Sequence, residues 1–190
     1  MTINGIPVPI YALSNSNNVQ QVTFQTPCET PVGSATVVVT VNGSVTTTAG
    51  VPVLQAQPGI FTYAGPNGKL YGAVIRALDG SYVTPSSLAH RGETYYLVAT
   101  GLGQVSPATA TNAAGIGGQT VAAPAVVGIN NAGVPTNPAQ YVQGSIGVYI
   151  VGFTIPQTAT TGTDQPLALA VALNGQNIFG NQAVFIPGVQ

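Results

Sequence analysis

Apolar and polar residues alternate along most of this chain with a period of two. The clearest run lies between Gly92 and Gly103, where Tyr95, Leu97 and Ala99 point one way and Thr94, Tyr96, Val98 and Thr100 the other. That pattern predicts a strand with two different faces, stopped by glycine at both ends. Further strands are expected at 19–26, 35–41, 51–55, 70–78, 121–128, 147–155, 167–173 and 183–186, all rich in Val, Ile, Thr, Tyr and Phe. Between them stand turn pairs, Asn4-Gly5, Asn42-Gly43, Asn67-Gly68, Asp79-Gly80 and Asn174-Gly175, at a spacing that suits a sandwich. No window of a dozen residues carries a helical period, and 85–90 allows one short turn of helix.

The alternating pattern repeats itself. Val22, Phe24, Pro27 and Gly33 recur as Val151, Phe153, Pro156 and Gly162, 129 residues later (151 − 22). After an insertion of three residues near 164–166, Val37, Val39, Val41, Asn42 and Gly43 recur as Leu169, Val171, Leu173, Asn174 and Gly175. Upstream, Ile3-Asn4-Gly5 with Val8 matches Ile129-Asn130-Asn131 with Val134. The shared unit is strand, proline, loop, glycine, strand and Asn-Gly turn. Proline ends the first strand because it has no N–H for a ladder, and Asn-Gly supplies the positive φ of a tight hairpin.

Composition narrows the class. In 190 residues only 4% are charged while 45% are hydrophobic, against a usual charged share of about 25%. Apolar content at that level argues for order, and a net charge of −1 permits close self-association. Three scattered cations cannot neutralise a run of phosphates, so a nucleic-acid partner is not expected. No apolar run approaches the roughly 18 residues of a membrane span, so membrane insertion is not expected. Cys28 has no second cysteine to pair with and is expected to be a half-buried loop residue. The start has neither a basic nor an apolar leader segment. With 24 glycines and 15 prolines, the expectation is a piece of a longer secreted protein, extracellular or at the cell surface.

The segments INGIPVPIYALS, VQQVTFQTP, VGSATVVVTVNG, QPGIFTY, LDGSYVT, RGETYYLVATGLGQVSP and GVYIVGFTIP stand in a characteristic order. In that order the chain, from Ile3 to Ile186, resembles the C-terminal domain of secreted acidobacterial proteins, the Solibacter-type domain. Each half is also similar to immunoglobulin-like IPT/TIG modules. The resemblance implies a secreted or surface-attached β-sandwich module with no established activity. One departure stands out: the second half opens with the strand at 92–103, and the first half has no counterpart. Three sources remain open for that strand. Residues 70–78 fold back to supply it, a parent chain carries it, or a neighbouring chain donates it by β-augmentation.

Reactive constellations are sparse. Asp79 is the one candidate for a calcium ligand, but hard cations gather several carboxylates, and an Asp-Gly turn is the plainer role. Ser86 or Ser87 with His90 and Asp79 could be drawn as a triad, yet no G-x-S-x-G elbow exists, and His90 beside Arg91 reads as a linker residue. The carboxylates Glu29, Asp79, Glu93 and Asp164 lie apart in loops or at strand starts. The glycines at 101–103 and 115–118 lack the third glycine and helix of a phosphate loop. Lys69, the only lysine, is expected in a solvated turn and not in an isopeptide bond. Asn42-Gly43-Ser44 fits a glycosylation sequon and, more plainly, a hairpin turn. No catalytic group, metal or cofactor is assigned. Tyr63, Tyr71, Tyr82, Tyr95, Tyr96 and Tyr149 are the candidate ligand or interface aromatics, with burial of their rings as the competing role.

The expectation is therefore an all-β protein of two immunoglobulin-like sandwiches in tandem. The first spans 1–64 and lacks its opening strand, 65–91 bridges or completes it, and the second spans 92–190. Its expected role is non-enzymatic: attachment or self-assembly, as a homo-oligomer or beside further domains of a parent chain. The alternative is a carbohydrate-binding module that uses exposed tyrosines.

Overall fold

A computed structural model describes residues 1–180 and 182–190. The chain is all-β, with one 3-10 turn at Pro66–Gly68 and no α-helix among the described residues. It divides into two compact units, Met1–Gln55 with Ala108–Ala114, and Ala56–Pro107 with Gly115–Gln190.

The first unit holds β1 (Thr2–Ile3), β2 (Ile6–Pro7), β3 (Ile10–Ser16), β4 (Val19–Phe24), β5 (Gly33–Val41) and β6 (Ser44–Val53). Four of them form a sheet in the order β2-β1-β5-β6, and among the described residues β3 pairs only with β4. Tight turns set the register. Asn4-Gly5, Asn17-Asn18 and Asn42-Gly43 all have φ between +49° and +83°, the signature of a hairpin turn whose twist matches its strands. Asn4 adds two bonds to β5, its N–H donating to the Thr36 carbonyl and its side-chain oxygen accepting from the Thr36 N–H. The core is small: Ile3, Val8 and Ala35, with Met1, Phe24, Val37 and Val53 partly buried against them.

The second unit holds β7 (Gly59–Ile60), β8 (Thr62–Ala64), β9 (Leu70–Gly72), β10 (Val74–Arg76), β11 (Thr94–Thr100), β12 (Val105–Ser106), β13 (Thr120–Val121), β14 (Ala125–Ile129), β15 (Ala132–Val134), β16 (Gln140–Tyr141), β17 (Tyr149–Thr154), β18 (Gly162–Leu173), β19 (Gln176–Phe179) and β20 (Val184–Val189). One seven-stranded sheet runs β10-β11-β17-β16-β13-β12, with β7 also on β11. The other runs β15-β14-β18-β20-β9-β8, with β19 also on β18. Tyr95, Leu97, Ala99, Val151 and Phe153 of the first sheet share one core with Val127, Leu167, Leu169, Val171, Val184 and Ile186 of the second. Two sheets facing each other across a common apolar layer make a sandwich-like arrangement.

The repeat read from the sequence is present in the topology. The order β2-β1-β5-β6 returns as β15-β14-β18-β19, and the β3–β4 pair returns as β16–β17. Asn130-Asn131 takes the same positive-φ turn as Asn4-Gly5, and the Asn130 N–H donates to the Pro166 carbonyl as that of Asn4 does to Thr36. The three inserted residues lengthen β18 to 12 residues against 9 for β5, and the added end pairs with β20. Beyond β17 lies β11, with Tyr95 opposite Phe153, Leu97 opposite Val151 and Ala99 opposite Tyr149. Beyond β4 no strand is paired among the described residues.

Residues 65–91 do not complete the first unit. β9 pairs with β8 and β20, and β10 with β11, because Tyr71 and Val74 bury in the second unit's sheets. The expected boundary at 64 thus falls inside the second unit, and the loop 108–114, expected in the second half, belongs to the first.

Equivalent positions of the two repeats differ in burial accordingly. Val151 and Phe153 are 0% and 1% exposed, while Val22 and Phe24 are only half-buried. Leu13 stands opposite Val22, on the same face, and is 73% exposed. Truncating Leu97 to Ala should therefore cost about 2–5 kcal/mol in urea unfolding of the full chain followed by tyrosine fluorescence. Leu13→Ala should change it by less than about 0.5 kcal/mol. Equal losses would contradict the difference in coverage.

Candidate functional site

All six candidate tyrosines lie in the second unit, and strand alternation splits them by role. Tyr95 is fully buried in β11. Its hydroxyl donates to Glu93 Oε2 at 2.7 Å and accepts from the His90 N–H at 2.7 Å, and its ring lies 5.9 Å from that of Phe153. Burial raises its phenol above the ordinary range. Tyr149 is buried against Tyr141, rings 4.9 Å apart and edge-on, and donates to the Gly103 carbonyl. Tyr63 donates to the Val83 carbonyl at 2.9 Å, and burial raises its phenol too. Tyr71 is buried beside Tyr63, rings 5.7 Å apart, and donates to Asp164. These four are structural anchors.

Tyr82 and Tyr96 are the two that face outward, 56% and 38% exposed. Ile75 connects them, paired with Tyr82 by an isolated bridge and with Tyr96 in the β10–β11 ladder. Directly opposed residues share a face, so Tyr82, Ile75, Tyr96 and Gly152 form one row across the sheet. The tyrosines stand two strand spacings apart, about 10 Å. A shallow groove next to Tyr96 is lined by Asn137, Pro138, Gln140, Ile150 and Gly152. Glycine keeps that groove open: a Cβ at Gly152 would come within 3.1 Å of Asn137 Nδ2 and 3.5 Å of the Tyr96 ring.

The charged groups are used locally. Arg76 donates from Nε to Glu93 Oε2 at 2.9 Å and from Nη2 to the Leu88 carbonyl, and it lies 5.9 Å from the Tyr95 ring centre. The Tyr95 phenol, with Arg76 after it, holds the Glu93 carboxyl below the usual carboxylate range. Lys69 closes the 66–68 turn, as expected, but its side chain is engaged rather than free in solvent. It pairs with Asp164 at 2.9 Å and lies over the Phe185 ring at 5.2 Å. Tyr71 and then Lys69 hold Asp164 low, and Asp164 in turn pushes the Tyr71 phenol up to about 12.

The remaining candidates occupy separate places. Asp79 accepts from the Ser81 N–H and hydroxyl ahead of Gly80, the turn role expected of it, and the Ser81 hydroxyl lowers its pKa. Ser86 bonds with Thr84, and His90 Nε2 lies 3.3 Å from the Gln190 amide, and neither of these bonds involves Asp79. In the first unit Glu29 bonds with Thr111, whose hydroxyl lowers its pKa. Cys28 is exposed, not half-buried, and its N–H donates to the Thr111 hydroxyl at 2.8 Å. Among the described residues no three His, Cys, Asp or Glu gather, and no helix is long and apolar enough to cross a membrane.

No family model, curated protein or solved structure matches this chain.

The Lys69–Asp164–Tyr71 cluster carries a pH dependence of definite sign. Asp164 and Glu93 are depressed in the folded chain, so their contribution is complete above about pH 4 and fades as the pH falls through the lower folded values. Tyr71 is raised, so its contribution is complete below about pH 10 and is lost as the pH rises to about 12. Ultraviolet titration of the phenolates should show a step near 12 that Tyr71→Phe removes. The same variant should bring the Asp164 carboxyl, followed by NMR, back toward its ordinary value. An unchanged carboxyl would rule out the bond as the cause.

Proposed function

We propose that this chain is a non-catalytic structural module, extracellular or at the cell surface, that works in attachment and self-assembly through strand edges and packing. On this reading its units are immunoglobulin-like sandwiches in tandem, of the kind that the Solibacter-type and IPT/TIG resemblance implies. One observation carries it. The first unit presents half-covered apolar strands, including Leu13 at 73% exposed, on a chain with a net charge of −1. Exposed β-edges without charge favour association with further strands, which charged or proline-bearing edges oppose. Negative-stain microscopy and light scattering of purified protein at rising concentration should reveal regular oligomers or filaments. A monodisperse monomer up to millimolar concentration would defeat the self-assembly reading.

A second reading has its own support in the Tyr82–Ile75–Tyr96 row. Exposed phenol rings offer flat apolar faces with polar rims, and a pair about 10 Å apart on a sheet suits successive sugar rings of a glycan. Glycan-array binding that falls at least tenfold in both Tyr82→Ala and Tyr96→Ala would establish it. Binding that survives both would discard it. Tyr95 is unsuitable for that test, because its truncation would empty the core.

A further inference from the structure

We propose that the open edge of β4 is a strand-acceptor site for an extended segment of a second polypeptide chain. The segment would run antiparallel to β4 and carry an aromatic, an aliphatic and a small side chain at alternate positions. The inference rests on the structural reading above and specifies its contact.

The internal repeat says what covers such an edge. β4 and β17 are equivalent, with Gln20, Val22 and Phe24 at the positions of Tyr149, Val151 and Phe153. On β17 the edge facing away from β16 is taken by β11, which sets Ala99, Leu97 and Tyr95 opposite those three residues, all 0% exposed. On β4 the corresponding edge has no ladder among the described residues. The Asn17-Asn18 turn makes Ser16 and Val19 a hydrogen-bonded pair, and bonding alternates from there. The N–H and C=O groups of Gln20 and Val22 therefore point away from β3, into the place where β11 stands in the other repeat.

Nothing along this edge repels a partner. Residues 1–28 contain no Asp, Glu, Lys, Arg or His, and neither β3 nor β4 contains proline. Natural edge strands are usually protected by charge or proline. The loop 108–114 bonds to Tyr11, Gln25, Cys28 and Glu29, at other positions than Gln20 and Val22. Among the described residues every strand with the pattern of β11 is already paired inside the second unit, so none of them is free to cover this edge. By the repeat, the occupant's aromatic residue lies opposite Phe24, its aliphatic residue opposite Val22 and its small residue opposite Gln20. Main-chain bonds supply affinity and the alternate side chains supply selectivity, as in other β-augmentation sites.

The probe is a synthetic peptide with the sequence of residues 92–103, titrated into the full chain and followed by amide hydrogen exchange. Binding should slow exchange at Gln20 and Val22 at least tenfold. Gln20→Pro removes an outward N–H at an exposed position, which an edge strand tolerates, and should abolish that protection. A peptide with asparagine in place of Leu97 should also fail. The site is overturned if the peptide does not bind, if binding survives Gln20→Pro, or if protection changes only in β11 and β17. Protection of Gln20 and Val22 that grows with protein concentration and no peptide would mean that a second copy's own edge pairs there, which also overturns a donated strand. Filaments that persist in Gln20→Pro would leave the assembly reading standing while this site falls.

Discussion

An apolar side chain on one face of a β-strand is removed from water only when a strand lies beside it and a second sheet lies opposite. β17 has both, through β11, β16 and the β18 sheet, and Val151 and Phe153 are sealed. Among the described residues β4 has one neighbour, and the same two positions, Val22 and Phe24, remain half-buried. The two repeats share a hairpin, a strand and a turn chemistry, and they differ in that seam. Burial of roughly 1.5–3 kcal/mol per large apolar side chain makes this one strand decisive for how well each core closes. A two-stranded hairpin alone is marginal in water, so β3–β4 depends on whatever else covers its inner face.

The scarcity of charge has a related consequence. Arg76, Glu93, Lys69 and Asp164 are held in ion pairs at 2.9 Å, and Asp79 and Glu29 are bonded to neighbouring hydroxyls. The charges present thus order local loops and strand starts instead of spreading a repulsive field. The hydroxyls of Tyr71 and Tyr95 join those clusters: the bond to Asp164 raises the Tyr71 phenol, burial raises that of Tyr95, and both phenols hold their carboxylate partners low.

Much of the strand content was legible because the period of two is a local property. Runs at 19–24, 94–100 and 149–154 were readable from alternation, and the Asn-Gly turns from their need for positive φ. Other elements left weak signals. β3 reads as a polar loop in Leu-Ser-Asn-Ser, and only the following Asn17-Asn18 pair hints at a hairpin. β6 begins in a run of Thr with no apolar face, and its pairing to β5 slips where Ala49 and Gly50 stand opposite Thr36. The run at 70–78 breaks at Ala73 because β9 pairs with one sheet and β10 with the other. At the candidate site, alternation separated Tyr95 from Tyr96, but six tyrosines looked alike until four of them found internal partners.

From the sequence alone came the all-β class, the turn positions and the 129-residue repeat. Each depends on residues close in the chain or on a comparison of one segment with another. The partner of each strand came only from the tertiary structure: residues 70–76 joined the second unit, and the loop 108–114 joined the first. Likewise, only packing decided that Tyr95 faces inward and Tyr96 outward. Alternation defines two faces, but which one becomes core depends on the opposing sheet, and that sheet is assembled from strands up to a hundred residues away.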